Sequence, residues 1–329
     1  MRCCGENAKL AICMKEVTMI ETIVSMELPV GEHLTICRNR ICYRENIKSL
    51  GRIAIVSGTH GDELEGQYIC FEVARRIAEH PECLAGIVDI YPALNPLGID
   101  LASKALPTID MDLNRMFPGS KDGNAMEQIA AAVVDDLIGA DLCIDVHSSD
   151  IFVQEIPQVR LSEEFAERML PFAKLMNVDV IWMNATATVH EATLAHSLNI
   201  MGVPTMVVEL GKGNSINIPY GNQVVDGIFN VMHEMGLWTG EVPPTHLPAI
   251  SSDGKVEFIR SEMEGIFLPR SKHNHFVCVG ELIGEIVDPM TGRVKSRITA
   301  GKDGLLFTLR NYPVIYEGDL LARILTGID

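Results

Sequence analysis

The sequence predicts an α/β fold, a mixed and mostly parallel sheet held between helices, followed by a small all-β region. Three observations carry that prediction. Short apolar runs bounded by turn residues alternate with amphipathic stretches between residues 52 and 240, the pattern of buried parallel strands joined by crossover helices. A stretch of alternating polar and apolar residues precedes them. After Pro243, Pro244 and Pro248 the chain changes to short β runs separated by Gly and Asp, with no convincing helix.

In order along the chain, residues 1–50 form an N-terminal β annex, in which 20–47 read as short strands about a Pro29-Val30-Gly31-Glu32 turn. The main domain spans 51–242. Its expected strands are 53–56, 87–91, 142–146, 178–183 and 204–210, and its expected helices 64–79, 125–138, 162–176, 188–200 and 222–236. Residues 243–329, punctuated by Gly265, Gly280, Gly284, Gly292, Gly301, Gly304 and Gly318, form a small all-β domain.

Composition narrows the function classes. The 329 residues, 47% of them apolar, are enough for a sizeable core. A formal net charge of -17, with no local basic patch, opposes binding to nucleic acid or to an anionic membrane surface. No run approaches the roughly 20 apolar residues that span a bilayer, and the start lacks the apolar core of a signal peptide, so a cytoplasmic protein is expected. Nine scattered cysteines without a C-x-x-C pair fit reduced thiols. The adjacent Cys3 and Cys4 are read as incidental.

Chemistry concentrates at three strand ends. In Gly58-Thr59-His60-Gly61-Asp62-Glu63, a strand runs through a glycine turn into a helix, the edge of an open sheet where ligands bind. His60 and Glu63 are close enough there to share one ion. A helix start capped by Thr59 or Asp62 is the competing reading. Asp145-Val146-His147-Ser148 brings a second histidine to the same edge. Two imidazoles and a carboxylate leave a fourth position for water, the composition of a catalytic zinc site, and nitrogen donors favour Zn2+ over magnesium or calcium. Asp145, two residues before His147, can accept that ring's other N–H.

A hydrolase of this kind needs a base that is not a ligand. Glu209, at the end of the apolar run Val207-Val208-Glu209-Leu210-Gly211, is the candidate, with a solvent-facing glutamate as the alternative. Asn114 and Arg115, beside the Phe117-Pro118-Gly119 turn, suit a substrate carboxylate, since an arginine fork binds it through two parallel bonds. A structural pair of Arg115 with Asp110 or Asp112 is the alternative. His273-Asn274-His275 also carries two alternating histidines that a metal could use.

These motifs, with Asn95-Pro96, occur in an order that resembles the succinylglutamate desuccinylase/aspartoacylase family of the zinc carboxypeptidase-like superfamily, over about residues 50 to 240. The resemblance implies a carboxypeptidase-like fold, zinc on His60, Glu63 and His147, Glu209 as general acid/base, and Asn114 and Arg115 on a substrate carboxylate. Relatives place an oxyanion-stabilising arginine some ten residues before the Asn-Arg pair; here the nearest basic residue is Lys104, a point charge without the planar fork. Arg160 offers a further anion contact or a salt bridge. Residues 265–325 resemble the biotinyl/lipoyl-type barrel sandwich of some relatives, without a lysine at an evident hairpin tip, and read as a cap or assembly module. A homo-oligomer is compatible with the added β domain and its strand edges. The expected activity is hydrolysis of an amide in a small N-acylated amino acid or amine carrying a carboxylate. A zinc carboxypeptidase for short peptides and a non-catalytic ligand-binding scaffold are the alternatives.

Overall fold

The computed structural model describes residues 17–43, 51–184 and 192–327. Cys3, Cys4, His190 and part of the helix expected at 188–200 lie outside these. The first part of the chain forms β1 (Val17–Glu27), β2 (His33–Cys42), β3 (Arg52–Ser57), α1 (Glu65–Glu79), β4 (Ile87–Tyr91), α2 (Pro96–Leu101), α3 (Ala125–Leu137) and β5 (Leu142–Ser148). Then come β6 (Val153–Ser162), α4 (Ala166–Ala173), β7 (Val180–Asn184), α5 (Leu194–Ile200), β8 (Thr205–Gly211) and α6 (Ile218–Glu234). The remainder is β9 (Ala249–Ser252), β10 (Val256–Arg260), β11 (Gly265–Pro269), β12 (His275–Val277), β13 (Leu282–Asp288), β14 (Arg293–Thr299), β15 (Gly304–Arg310), β16 (Val314–Ile315) and β17 (Leu320–Thr326).

The five apolar runs became β3, β4, β5, β7 and β8. At the centre, β4, β3, β5 and β8 lie side by side and parallel. Antiparallel pairs flank them: the β1–β2 hairpin joins through β2 to β4, and β6 runs antiparallel to β8. The ladder continues from β6 to β15, β17 and β10, all antiparallel, while β7 and β9 extend it in parallel from β6. Strands from beyond residue 243 are therefore hydrogen-bonded into the same sheet as the site. A second sheet, in the order β14-β13-β11-β16, completes the C-terminal part.

The sequence reading has no counterpart to β6. Pro157 lies within it, and an internal proline argues against a central strand because it cannot donate to the ladder. The sheet accommodates it at a register irregularity between Glu155 and Gln158 opposite β8. The helix expected at 162–176 is shorter, with α4 covering Ala166–Ala173.

Strand periodicity sorts the central side chains onto two faces. On β3, Ile53 and Ile55 pack into a core with Ile69, Val73 and Ile77 of α1 and Val224 and Ile228 of α6. Ala54 and Val56 face the opposite core, with Ile129 and Val133 of α3 and Leu194 and Leu198 of α5. On β5 and β8 the apolar residues Ile144, Val146, Met206 and Val208 face the α1/α6 side. Asp145, His147 and Glu209 alternate with them and therefore project from the other face. A separate apolar cluster, including Phe267, Ile286, Leu306 and Ile324, fills the C-terminal strands.

Candidate metal centre and active site

His60 and Glu63 sit in the turn from β3 into α1. That turn is held by a bond from the Gly61 N–H to Ser103 O at 3.0 Å, and a Cβ on Gly61 would lie 1.9 Å from the Gly98 carbonyl carbon. Only glycine permits this approach. The neighbouring Asn95 explains its own motif: its side chain caps α2 by accepting from Gly98 N at 2.9 Å and donates to Ala105 O at 3.2 Å, pinning the wall behind the turn. Neither Thr59 nor Asp62 caps α1, whose N-cap is Leu64 without a side-chain bond, so the helix-start reading does not account for these residues.

His147, at the end of β5, completes the cluster. The Nδ1 atoms of His60 and His147 lie 2.6 and 2.9 Å from the two oxygens of Glu63, and the Ser148 N–H donates to Glu63 at 3.1 Å. All three side chains are buried. One ligand atom from each lies within 4.8 Å of the others, the one such cluster among the described residues. On the outer side, His60 Nε2 meets Asp112 at 3.0 Å. His147 Nε2 is 3.2 Å from Asp145, within ion-pair reach but poorly aligned for a hydrogen bond. Both rings thus turn Nδ1 inward and Nε2 toward a carboxylate, the arrangement that fixes metal-binding imidazoles. Two nitrogens and a carboxylate converging in this way fit a divalent cation.

The charges follow the same geometry. Burial pushes Glu63 up, but His147 and His60 outweigh it and hold the carboxyl well below its ordinary range. Burial opposes protonation of both rings; Asp112 and Glu63 nevertheless raise the pKa of His60, and Asp145 and Glu63 raise that of His147 well above its usual value. Protons and a cation therefore compete for the same nitrogens.

Glu209 is the cross-strand neighbour of His147. Burial pushes its carboxyl up to about 7, against the lowering influence of Arg160 and His147 and with a smaller push from Glu155 and Glu63. A solvent-facing glutamate would keep an ordinary value. Its partner is Arg160, whose guanidinium reaches Glu209 at 3.1 Å and Glu155 at 2.8 Å. Arg160 thus pairs with two inward carboxylates rather than with a surface acid.

The other expected residues are placed less centrally. The Asn114 side chain is buried and accepts from Leu194 N at 3.0 Å, tying the Asn-Arg loop to α5. Arg115 is exposed, donates to Asn114 O at 2.8 Å, and forms no ion pair with Asp110 or Asp112 among the described residues. Lys104 is exposed, and its charge acts on Asp62, whose pKa burial raises overall. His273 and His275 are not brought together: the first meets Tyr220 Oη at 2.8 Å and the second Glu281 at 3.1 Å. Sequence reasoning missed Asp112 as the partner of His60, having weighed that carboxylate only as an alternative partner of Arg115. Glu155 was missed with its strand, whose mixed polar and apolar residues and internal proline gave no clear signal.

The description "Succinylglutamate desuccinylase/Aspartoacylase catalytic domain" matches residues 49–235. The N-alpha-acetyl-L-2,4-diaminobutyric acid deacetylase of Halomonas elongata is 27% identical over 279 residues, 82% of this chain and 80% of that protein. Among solved structures, the product-bound ectoine utilization protein EutE (DoeB) from Ruegeria pomeroyi superposes with a TM-score of 0.79 at 22% identity, covering 94% of this chain and 95% of the other. A succinylglutamate desuccinylase/aspartoacylase from Rhodobacter sphaeroides gives 0.77 at 21% identity, covering 95% and 96%. The likeness to these structures is one of fold. Catalytic-domain match and cluster together define the chain as a deacylating hydrolase of mixed α/β architecture with a candidate metal centre. It belongs to the succinylglutamate desuccinylase/aspartoacylase family.

Proposed function

We propose that this protein is a zinc-dependent deacylase that hydrolyses the amide of a small N-acylated amino acid or amine bearing a carboxylate. The observation that carries the reading is the convergence of His60, Glu63 and His147 beside a buried carboxyl, Glu209, whose pKa stands at about 7. Two imidazole donors favour zinc over magnesium or calcium. When bound there, zinc supplies Lewis acidity that acidifies water and polarises the acyl carbonyl.

The chain's own residues do the rest. Asp112 and Asp145 hold the two rings with Nδ1 inward. Glu209, poised near neutral pH, accepts the proton of the attacking water and returns it to the departing amine. Lys104 adds positive charge for the developing oxyanion, and Asn114 and Arg115 bind the substrate carboxylate. The Halomonas relative makes N-acyl diamino acids the first substrates to try. We further infer an annex at 1–50, a catalytic domain at 51–242 and an all-β domain at 243–329, in a cytoplasmic protein.

The test is amine release from a panel of N-acyl amino acids, N-alpha-acetyl-2,4-diaminobutyrate among them, and short peptides, using zinc-loaded protein. Turnover of N-acyl amino acids above that of peptides is expected. Faster peptide cleavage would transfer the chain to a carboxypeptidase role, and no turnover by a zinc-replete protein would support a binding scaffold.

A further inference from the structure

The C-terminal strands reach the candidate base through a chain of buried charges. Glu155, on β6, is 1% exposed. One of its oxygens takes the Arg160 guanidinium at 2.8 Å; the other accepts from Thr308 Oγ1 at 3.0 Å and from Arg323 at 2.5 Å. Arg160 in turn holds Glu209 at 3.1 Å. Thr308, on β15, stands opposite both Glu155 on β6 and Arg323 on β17. The Trp182 ring packs against both guanidiniums, 5.5 Å from that of Arg160 and 5.4 Å from that of Arg323.

We propose that Thr308 and Arg323 are positioning residues for Glu209, acting through Glu155 and Arg160. The proposal rests on the reading of Glu209 as the base. The physical reason is competition for one guanidinium. Arg160 is shared between two carboxylates, and a fully buried carboxylate must be paired. With Thr308 and Arg323 satisfying one side of Glu155, Arg160 remains divided between Glu155 and Glu209. Without them, Glu155 depends on Arg160 alone and draws it away, which frees the Glu209 carboxylate to leave its reactive orientation. A buried ion cluster adds little net stability over apolar packing, so its value here is the geometry it imposes. The C-terminal strands thereby complete the site rather than only cover it.

The test uses the full zinc-loaded chain and the substrate on which turnover is established. In Thr308→Val and Arg323→Gln, kcat should fall on the order of 10- to 100-fold, the cost of a misplaced catalytic group, with KM within about twofold. Arg323→Lys, which keeps a charge on Glu155, should recover most of the rate. Repeating Thr308→Val in a Glu209→Gln background should give no further loss, because coupled residues are non-additive. Wild-type kcat in both single variants overturns the proposal. So does a rise in KM at unchanged kcat, which would make the cluster a substrate site, and so does an additive loss in the double variant, the mark of a merely structural role. If Arg323→Gln does not fold, the near-isosteric Thr308→Val decides alone. Full activity of Glu209→Gln by itself would refute the base assignment instead, a distinguishable failure.

Discussion

Replacing Glu209 by Gln keeps the shape of the side chain and removes its basicity. In the folded protein burial lifts this carboxyl from an ordinary value of 4.5 to about 7. A base with that pKa is roughly one tenth ionised at pH 6 and about nine tenths at pH 8. The wild-type kcat/KM should therefore rise by at most about tenfold across that interval and then level off. A divalent cation on the neighbouring cluster favours the carboxylate and moves this limb toward lower pH, so about 7 is its upper bound. Glu209→Gln should lose roughly 10² to 10⁴ in kcat and lose the acidic limb with it. Zinc content should not change, since Glu209 is not one of the three converging ligands. The assay is amine release between pH 5 and 9 beside metal analysis of both proteins. A variant that turns over at the wild-type rate with zinc in place would refute the reasoning, as would a limb well above pH 7.

On the proposed reading, Asp112→Asn and Asp145→Asn should each weaken zinc binding about 10- to 100-fold, because each carboxylate lies within 3.2 Å of the outer nitrogen of a candidate ligand ring; competition with a chromophoric chelator measures it, and unchanged affinity in both would remove their orienting role. Arg115→Ala should raise KM for N-acyl amino acids while sparing neutral amides, and equal effects on both would exclude a carboxylate contact. Glu65 is fully buried and accepts only from Asn217 N among the described residues, and burial pushes its carboxyl up to about 7. A raised folded pKa favours the protonated folded state, so this contribution is full below about pH 4.5 and is lost as pH rises to about 7. Glu65→Gln should therefore be more stable than wild type at pH 8, by roughly 3 kcal/mol at most, and close to it at pH 4.5; urea denaturation showing the same difference at both pH values would contradict this.

Much of this molecule was written locally. The runs that became β3, β4, β5 and β8 are apolar at nearly every position, as buried parallel strands must be, and their boundaries could be read to within a residue or two. His60, Glu63, His147 and Glu209 were legible because each ends such a run, where a polar side chain in an apolar setting needs a chemical reason. Pairing between distant segments was not legible. Nothing in the sequence near Asp112 says that its partner is His60 rather than Arg115, since three residues of separation and fifty are equally silent about side-chain direction. Arg160 read as an anion contact or a surface salt bridge, with no cross-strand neighbour assigned, because Pro157 hid the strand that carries it. Only the tertiary structure placed β6 between β8 and β15, and so put Glu155, Thr308 and Arg323 behind the candidate base. The periodicity of a strand fixes which face a residue takes, but its neighbours across the sheet are set by the packing of the whole chain.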